Sequence, residues 1–244
     1  MSASAANFDE LVVYPGVGRR FEHAVAVGLA DTAPSGRVRL DALARWLQDV
    51  ALADVVDAGL DEAALWVVRR TRLAVTRFPR FGETTMVSTF CSGIGRMWAQ
   101  RRTTAQTDAG GLVEAVALWV HIDPASLRPA PFSDRELEIY AASAAGREIK
   151  ARLRHAGPPV GAASRPWRFR STELDVANHI NNAAYWTVLE DELLTSGTEP
   201  SAIDVELEFR TPAQPGEHAV LSAGAGRWVV AGDGAVHASF LLDR

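Results

Sequence analysis

Eight consecutive positions, Asp175-Val176-Ala177-Asn178-His179-Ile180-Asn181-Asn182, hold an aspartate, a histidine and three asparagines. An apolar helical pattern follows at once, from Ala183 to Leu189, and ends in Glu190. Asp and Asn side chains bond nearby backbone N–H groups, which favours turns and helix N-caps. The stretch therefore predicts a loop feeding a helix over about 182–195. Asp175 and His179 then sit at the N-terminus of that helix, where free N–H groups and the dipole favour developing negative charge. A carboxylate, an imidazole and such a helix end suffice to activate water against an ester or thioester carbonyl. Asp175 is the candidate general base or water orienter, and His179 positions that water or polarises the carbonyl. Backbone N–H groups of Ile180, Asn181 and Asn182 are the candidate oxyanion hole, with Asn178 as a catalytic support. The leaving thiol of a thioester has a pKa of about 8.5, so its departure needs little acid assistance. The same residue types also fit a capped turn with a structural histidine.

Positioning such a loop requires a frame, and the flanking sequence predicts one. Leu40, Leu43, Leu47, Val50 and Val55 recur at helical spacing, which predicts a largely buried helix over 39–58 that stops at Gly59. Strands are expected at 21–28, 65–77, 84–93, 97–108 and 112–122, and again at 167–172, 203–211, 218–225, 227–231 and 236–242. A shorter helix is expected over 134–143, and His155 to Gly161 reads as a linker. One long helix followed by several strands is an α+β pattern. The two halves repeat that order over about 110 residues, with Ala44-Arg45-Trp46 set against Ala184-Tyr185-Trp186 and Gly82-Glu83 against Gly216-Glu217. Only the second copy carries an acid and a histidine before its helix; the first has Ser35-Gly36-Arg37-Val38-Arg39 there.

The pattern Asp175-x-x-x-His179-Ile180-Asn181-Asn182-x-x-Tyr185, closed by Glu190, resembles the signature of acyl-ACP thioesterases of the hotdog superfamily. Leu47-Gln48-Asp49-Val50-Ala51, Ala58-Gly59-Leu60, Trp66–Arg70, Arg77–Glu83, Gly95–Trp98 and Leu118-Trp119-Val120 follow that family's order and spacing. The resemblance implies a double hotdog, each unit a long helix wrapped by a curved antiparallel sheet. A silent N-terminal unit (1–145), a linker (146–164) and a unit carrying the catalytic loop (165–244) are expected. It also implies release of free fatty acid from acyl-ACP, without cofactor or metal. An acyl-CoA thioesterase and a non-catalytic acyl-thioester binding protein are the alternatives. Two departures stand out. Ala177 occupies the place of a family asparagine, and Pro212 and Ala213 replace a Glu-Cys pair, so Glu208 is a candidate substitute. Cys91, the single cysteine, cannot be the family's nucleophile and reads as a packed thiol.

The remaining expectations are broader. Arg69, Arg70, Arg72, Arg77 and Arg80 cluster in sequence, either as a solvated strand face or as a dock for an acidic carrier. A net charge of −5 argues against general nucleic-acid binding. No apolar run has membrane-spanning length, and Met1–Asn7 shows no basic-then-apolar signal. A cytoplasmic protein, monomeric as a double hotdog or dimeric, is expected. The tryptophans at 46, 66, 98, 119, 186 and 228 are expected mainly in the core, some lining an acyl pocket.

Overall fold

A computed structural model describes residues 11–60, 65–197 and 199–243; the Met1–Asn7 stretch lies outside them. In chain order the elements are β1 (Arg20–Ala26), α1 (Leu40–Asp57), β2 (Leu65–Arg77), β3 (Thr84–Ile94), β4 (Trp98–Thr107), β5 (Leu112–Ile122) and α2 (Asp134–Ala144). Then come β6 (Ala163–Phe169), α3 (Asn182–Thr195), β7 (Ile203–Phe209), β8 (Gly216–Ala223), β9 (Gly226–Val230) and β10 (Val236–Asp243). The strands form one antiparallel sheet in the order β1-β3-β4-β5-β2-β7-β10-β9-β8-β6. Its left five strands come from the first half and its right five from the second. Each half contributes the same order from its outer edge inward, which makes the molecule a double hotdog of α+β class.

The seam is the pairing of β2 with β7, from Arg70 opposite Glu208 to Val75 opposite Ile203. On its inner side α1 and α3 pack against the sheet and each other. Val38, Leu40, Leu43, Trp46, Trp186, Leu189, Leu207 and Phe240 belong to one continuous core. Burying each large apolar side chain contributes about 1.5–3 kcal/mol. Gly59 ends α1 with φ +65°, a conformation glycine adopts without steric cost. Ser133 and Glu136 form a capping box at the start of α2.

Two details depart from the sequence expectations. Strand β6 begins at Ala163 rather than 167, because Pro166 lies on the outermost strand, where a missing N–H costs no ladder bond. The two helices also register differently from the Ala-x-Trp match. Thr32 bridges Val38 just as Leu174 bridges Ile180, which aligns Leu40 with Asn182 and places Trp46 opposite Val188. The shared Ala-x-Trp is a coincidence of two buried helices. Among the described residues no helix is long and apolar enough to cross a membrane.

Candidate active site

The loops that lead into α1 and α3 fold alike. Ala33 N donates to Arg37 O at 2.8 Å, and Asp175 N to His179 O at 3.0 Å. Gly36 (φ +83°) and Asn178 (φ +58°) take the same left-handed turn position, which asparagine tolerates better than most residues. That accounts for Asn178. Its carbonyl accepts from Gln214 Nε2 at 3.0 Å, while its side chain is exposed and lies outside the cavity lining.

Asn181 is the N-cap of α3 and the hub of the site. Its Oδ1 accepts from Ala183 N at 2.9 Å and from Gln48 Nε2, on α1, at 3.2 Å. Its Nδ2 donates to Asp175 Oδ2 at 3.4 Å. Asp175 Oδ1 accepts from Ala177 N at 2.9 Å, so both carboxylate oxygens are fixed. A chain of polar contacts thus runs from the first half's helix to the second half's acid.

The candidate oxyanion donors separate clearly. Ile180 N already donates to Ala213 O at 3.1 Å, and Asn181 N to Glu173 O at 2.8 Å. Neither N–H is free to hold an oxyanion. The N–H of Asn182, the first residue of α3, has no acceptor among the described residues, and Asn182 lines the cavity. In the other half the equivalent N–H, of Leu40, donates to Glu190 Oε2 at 3.0 Å. Arg37 holds that carboxylate at 2.7 Å, both side chains being 3% exposed. Each partner lies eight residues into the facing helix, Glu190 against Leu40 and Gln48 against Asn182. Glu190 closes one helix end; Gln48 turns to Asn181 and leaves the other open.

This open end faces a cavity of about 370 Å³ between α1, α2 and the sheet of the first half. Gln48, Asp49, Asp175, Val176, Asn181 and Asn182 stand at its polar end; Leu52, Val55, Trp66, Ile94 and Trp119 line its apolar walls. Burial in this setting raises the Asp49 carboxyl above the usual aspartate range, against the opposing charge of Arg45. Gln48 and Asp49 were singled out in the sequence only through the family resemblance. Their signal is the one pair of consecutive polar residues in a helix whose other polar residues stand singly.

Other candidates lie elsewhere. His179 is exposed, and its ring has no partner among the described residues; it does not line the cavity. Glu208 is fully buried on the other side of the sheet, accepting from the backbone N–H groups of Arg154 and, at 3.1 Å, His155. It does not replace the family's glutamate. Ala213, where the family has cysteine, is fully buried and takes the Tyr185 hydroxyl on its N–H at 2.9 Å. Cys91 is buried and lines the cavity; burial pushes its thiol up to about 11.

The arginine cluster does not form one surface. Arg70 and Arg72 are buried and cross the seam to Glu206 at 3.5 Å and Asp204 at 2.5 Å. Arg69 donates to Arg210 O at 3.3 Å. Arg77 is exposed, but at the opposite end of β2 from the cavity-lining Leu65, roughly 35–40 Å away at strand rise. Ion pairing across the seam accounts for Arg70 and Arg72. His155, Glu206 and Glu208 bring their ligand atoms within 4.8 Å of one another. Arg70, Arg210 and backbone N–H groups already engage these carboxylates, so the group is a latch holding the linker.

Comparison with known proteins decides the lineage. The acyl-ACP thioesterase N-terminal domain matches residues 18–140, and the C-terminal domain of the same family matches 161–225. The chain belongs to the acyl-ACP thioesterase family. Its chemistry is accordingly acyl-thioester hydrolysis. An uncharacterized protein of Mycobacterium tuberculosis strain H37Rv is 26% identical over 208 residues, covering 85% of this chain and 83% of that one. A Lactobacillus plantarum protein assigned as an oleoyl thioesterase superposes with TM-score 0.76 at 15% identity, over 94% of this chain and 97% of that one. The 12:0-ACP thioesterase of Umbellularia californica superposes with TM-score 0.70 at 19% identity, over 92% and 96%. At these identities the two structures establish that this thioesterase shares their fold.

Proposed function

We propose that this thioesterase releases free acids from acyl groups carried on acyl carrier protein, at one centre built by Asp175 and the open end of α3. The observation that carries the reading is that Asn182, whose N–H has no acceptor among the described residues, lines the same cavity as Asp175. The acyl chain lies in the cavity of the first half with its carbonyl oxygen on that N–H. Asp175, fixed by Asn181 and Ala177, takes a proton from water as the water attacks the carbonyl carbon. The Asn182 N–H and the α3 dipole stabilise the oxyanion. Collapse expels the thiolate. Gln48 positions Asn181 and so the base. His179, exposed on the loop, acts from outside this set. The first half, with Leu40 N capped by Glu190, is silent.

The carrier assignment is supported by the family whose domains match, and the test treats it separately. Thiol release is measured from matched acyl-ACP and acyl-CoA panels with wild type and Asp175→Asn. Faster turnover of acyl-ACP, falling at least 100-fold in the variant as expected for loss of a general base, supports the reading. Faster turnover of acyl-CoA moves the carrier assignment. Normal turnover by a stable Asp175→Asn enzyme refutes the centre.

A further inference from the structure

The cavity has a polar wall beyond its apolar section. Arg101, on the inner side of β4, lines it together with Gln100, Glu136 and Tyr140. Arg101 Nη1 donates to Asp54 Oδ2 at 2.6 Å and to Thr89 Oγ1 at 3.4 Å. Asp54 is 1% exposed and shared: Arg19 Nε reaches Oδ1 at 2.6 Å, and the Tyr140 hydroxyl reaches Oδ2 at 3.3 Å. Both of its oxygens are occupied. Among the described residues the hydrogen bonds of Arg101 run from Nη1, with the Tyr140 hydroxyl beside the guanidinium. Nε and Nη2, in the wall of the cavity, therefore keep donor capacity for a ligand oxygen.

A purely aliphatic chain laid against this wall would leave those donors dry, which is penalised strongly. An oxygen carried by the chain would satisfy them. A neutral oxygen fits better than a carboxylate, because Asp54 and Asp57 together already balance Arg19 and Arg101 and a buried carboxylate needs a counter-charge of its own. Asp54 lies six residues beyond Gln48 on α1, about 9 Å along the helix axis. The oxygen thus belongs well away from the thioester, toward the far end of a medium-length chain.

We infer that the acyl group is oxygenated: a hydroxy- or oxo-acyl thioester whose distal oxygen accepts from Arg101. The inference rests on the thioesterase reading for its chemistry. Water still adds to the carbonyl carbon, the C–S bond breaks, the departing thiolate takes up the proton that Asp175 removed from water, and the distal oxygen is unchanged. Arg101 is then a specificity-determining residue that touches substrate.

The experiment compares kcat/KM for thioesters of one chain length and one carrier that are unsubstituted, ω-hydroxy, oxo or ω-carboxylate. The expected result is a preference of tenfold or more for the hydroxy or oxo chain over the unsubstituted one. Arg101→Lys should keep part of this preference and Arg101→Met should abolish it. If Arg101→Met fails to fold, the wild-type ratio decides alone. Equal or better turnover of the unsubstituted chain overturns the inference and leaves the thioesterase reading standing. Best turnover of the ω-carboxylate overturns the choice of a neutral oxygen. If no thioester is cleaved, calorimetry with the corresponding free acids decides. Tighter binding of the hydroxy acid upholds the ligand class while the hydrolytic reading falls; equal binding overturns the inference too.

Discussion

Asp175 and His179 stand four residues apart in one loop, yet the fold treats them differently. The carboxylate is fixed by Asn181 and Ala177 and borders the cavity, whereas the imidazole is exposed. His179→Ala should therefore lower kcat less than Asp175→Asn, by under tenfold against at least 100-fold; comparable losses would place the imidazole in the reacting set. A second residue-scale expectation concerns Cys91. With its thiol pushed up to about 11, little thiolate forms at neutral pH, and the thiolate is the nucleophile. Alkylation by iodoacetamide at pH ~7 should run far slower than for a free thiol and accelerate with rising pH. Slow, pH-insensitive labelling would point to access rather than ionisation. The acid and the capping Asn181 stood out in sequence because their contacts are local. Gln48 and Arg101 were not readable from the residues alone, because each bonds a group far away in the chain, Asn181 and Asp54. Asn178 misled for the opposite reason, since a turn that needs a left-handed residue also selects asparagine.

At the scale of elements, α1 and α3 carry each other's ends. The Arg37–Glu190 pair is buried and caps Leu40 N. Glu190→Ala should destabilise the fold by about 3–5 kcal/mol, because it strands a buried guanidinium. Chemical denaturation measures this, and a loss under 1 kcal/mol would mean that Glu199, 3.1 Å from Arg37 Nε, carries the pairing alone. Helices and strands followed closely from periodicity, and β2 and β5 have the expected bounds. The edge strand β6 did not, because Pro166 suppresses the usual strand signal. The helix register was also hidden, since it is set by backbone bonds in the preceding loops and not by side-chain type.

At the scale of the molecule, the linker crosses the seam and is held by the His155–Glu206–Glu208 latch. Burial alone would raise the Glu206 carboxyl; the bond from His155 and the charges of Arg70 and Arg154 outweigh it and hold it below the usual glutamate range. A depressed carboxylate stabilises the fold above its ordinary pKa, and that contribution is lost as pH falls through the lower folded value. Glu206→Gln should cost about 2 kcal/mol at neutral pH, with the gap to wild type closing as pH falls from neutrality through the lowered folded value. A gap that stays constant across this range would remove the latch from the account. The seam was legible in sequence as a repeat, but its ion pairs were not, because they join residues of separate halves. The contrast between Glu190 and Gln48 has one more implication. In a dimer of identical chains, any residue that seals one helix end seals both, so a tighter clamp silences the assembly. Joining the two copies in one chain breaks that bond between firmness and reactivity: one end is free to be welded shut for strength while its twin stays open for chemistry.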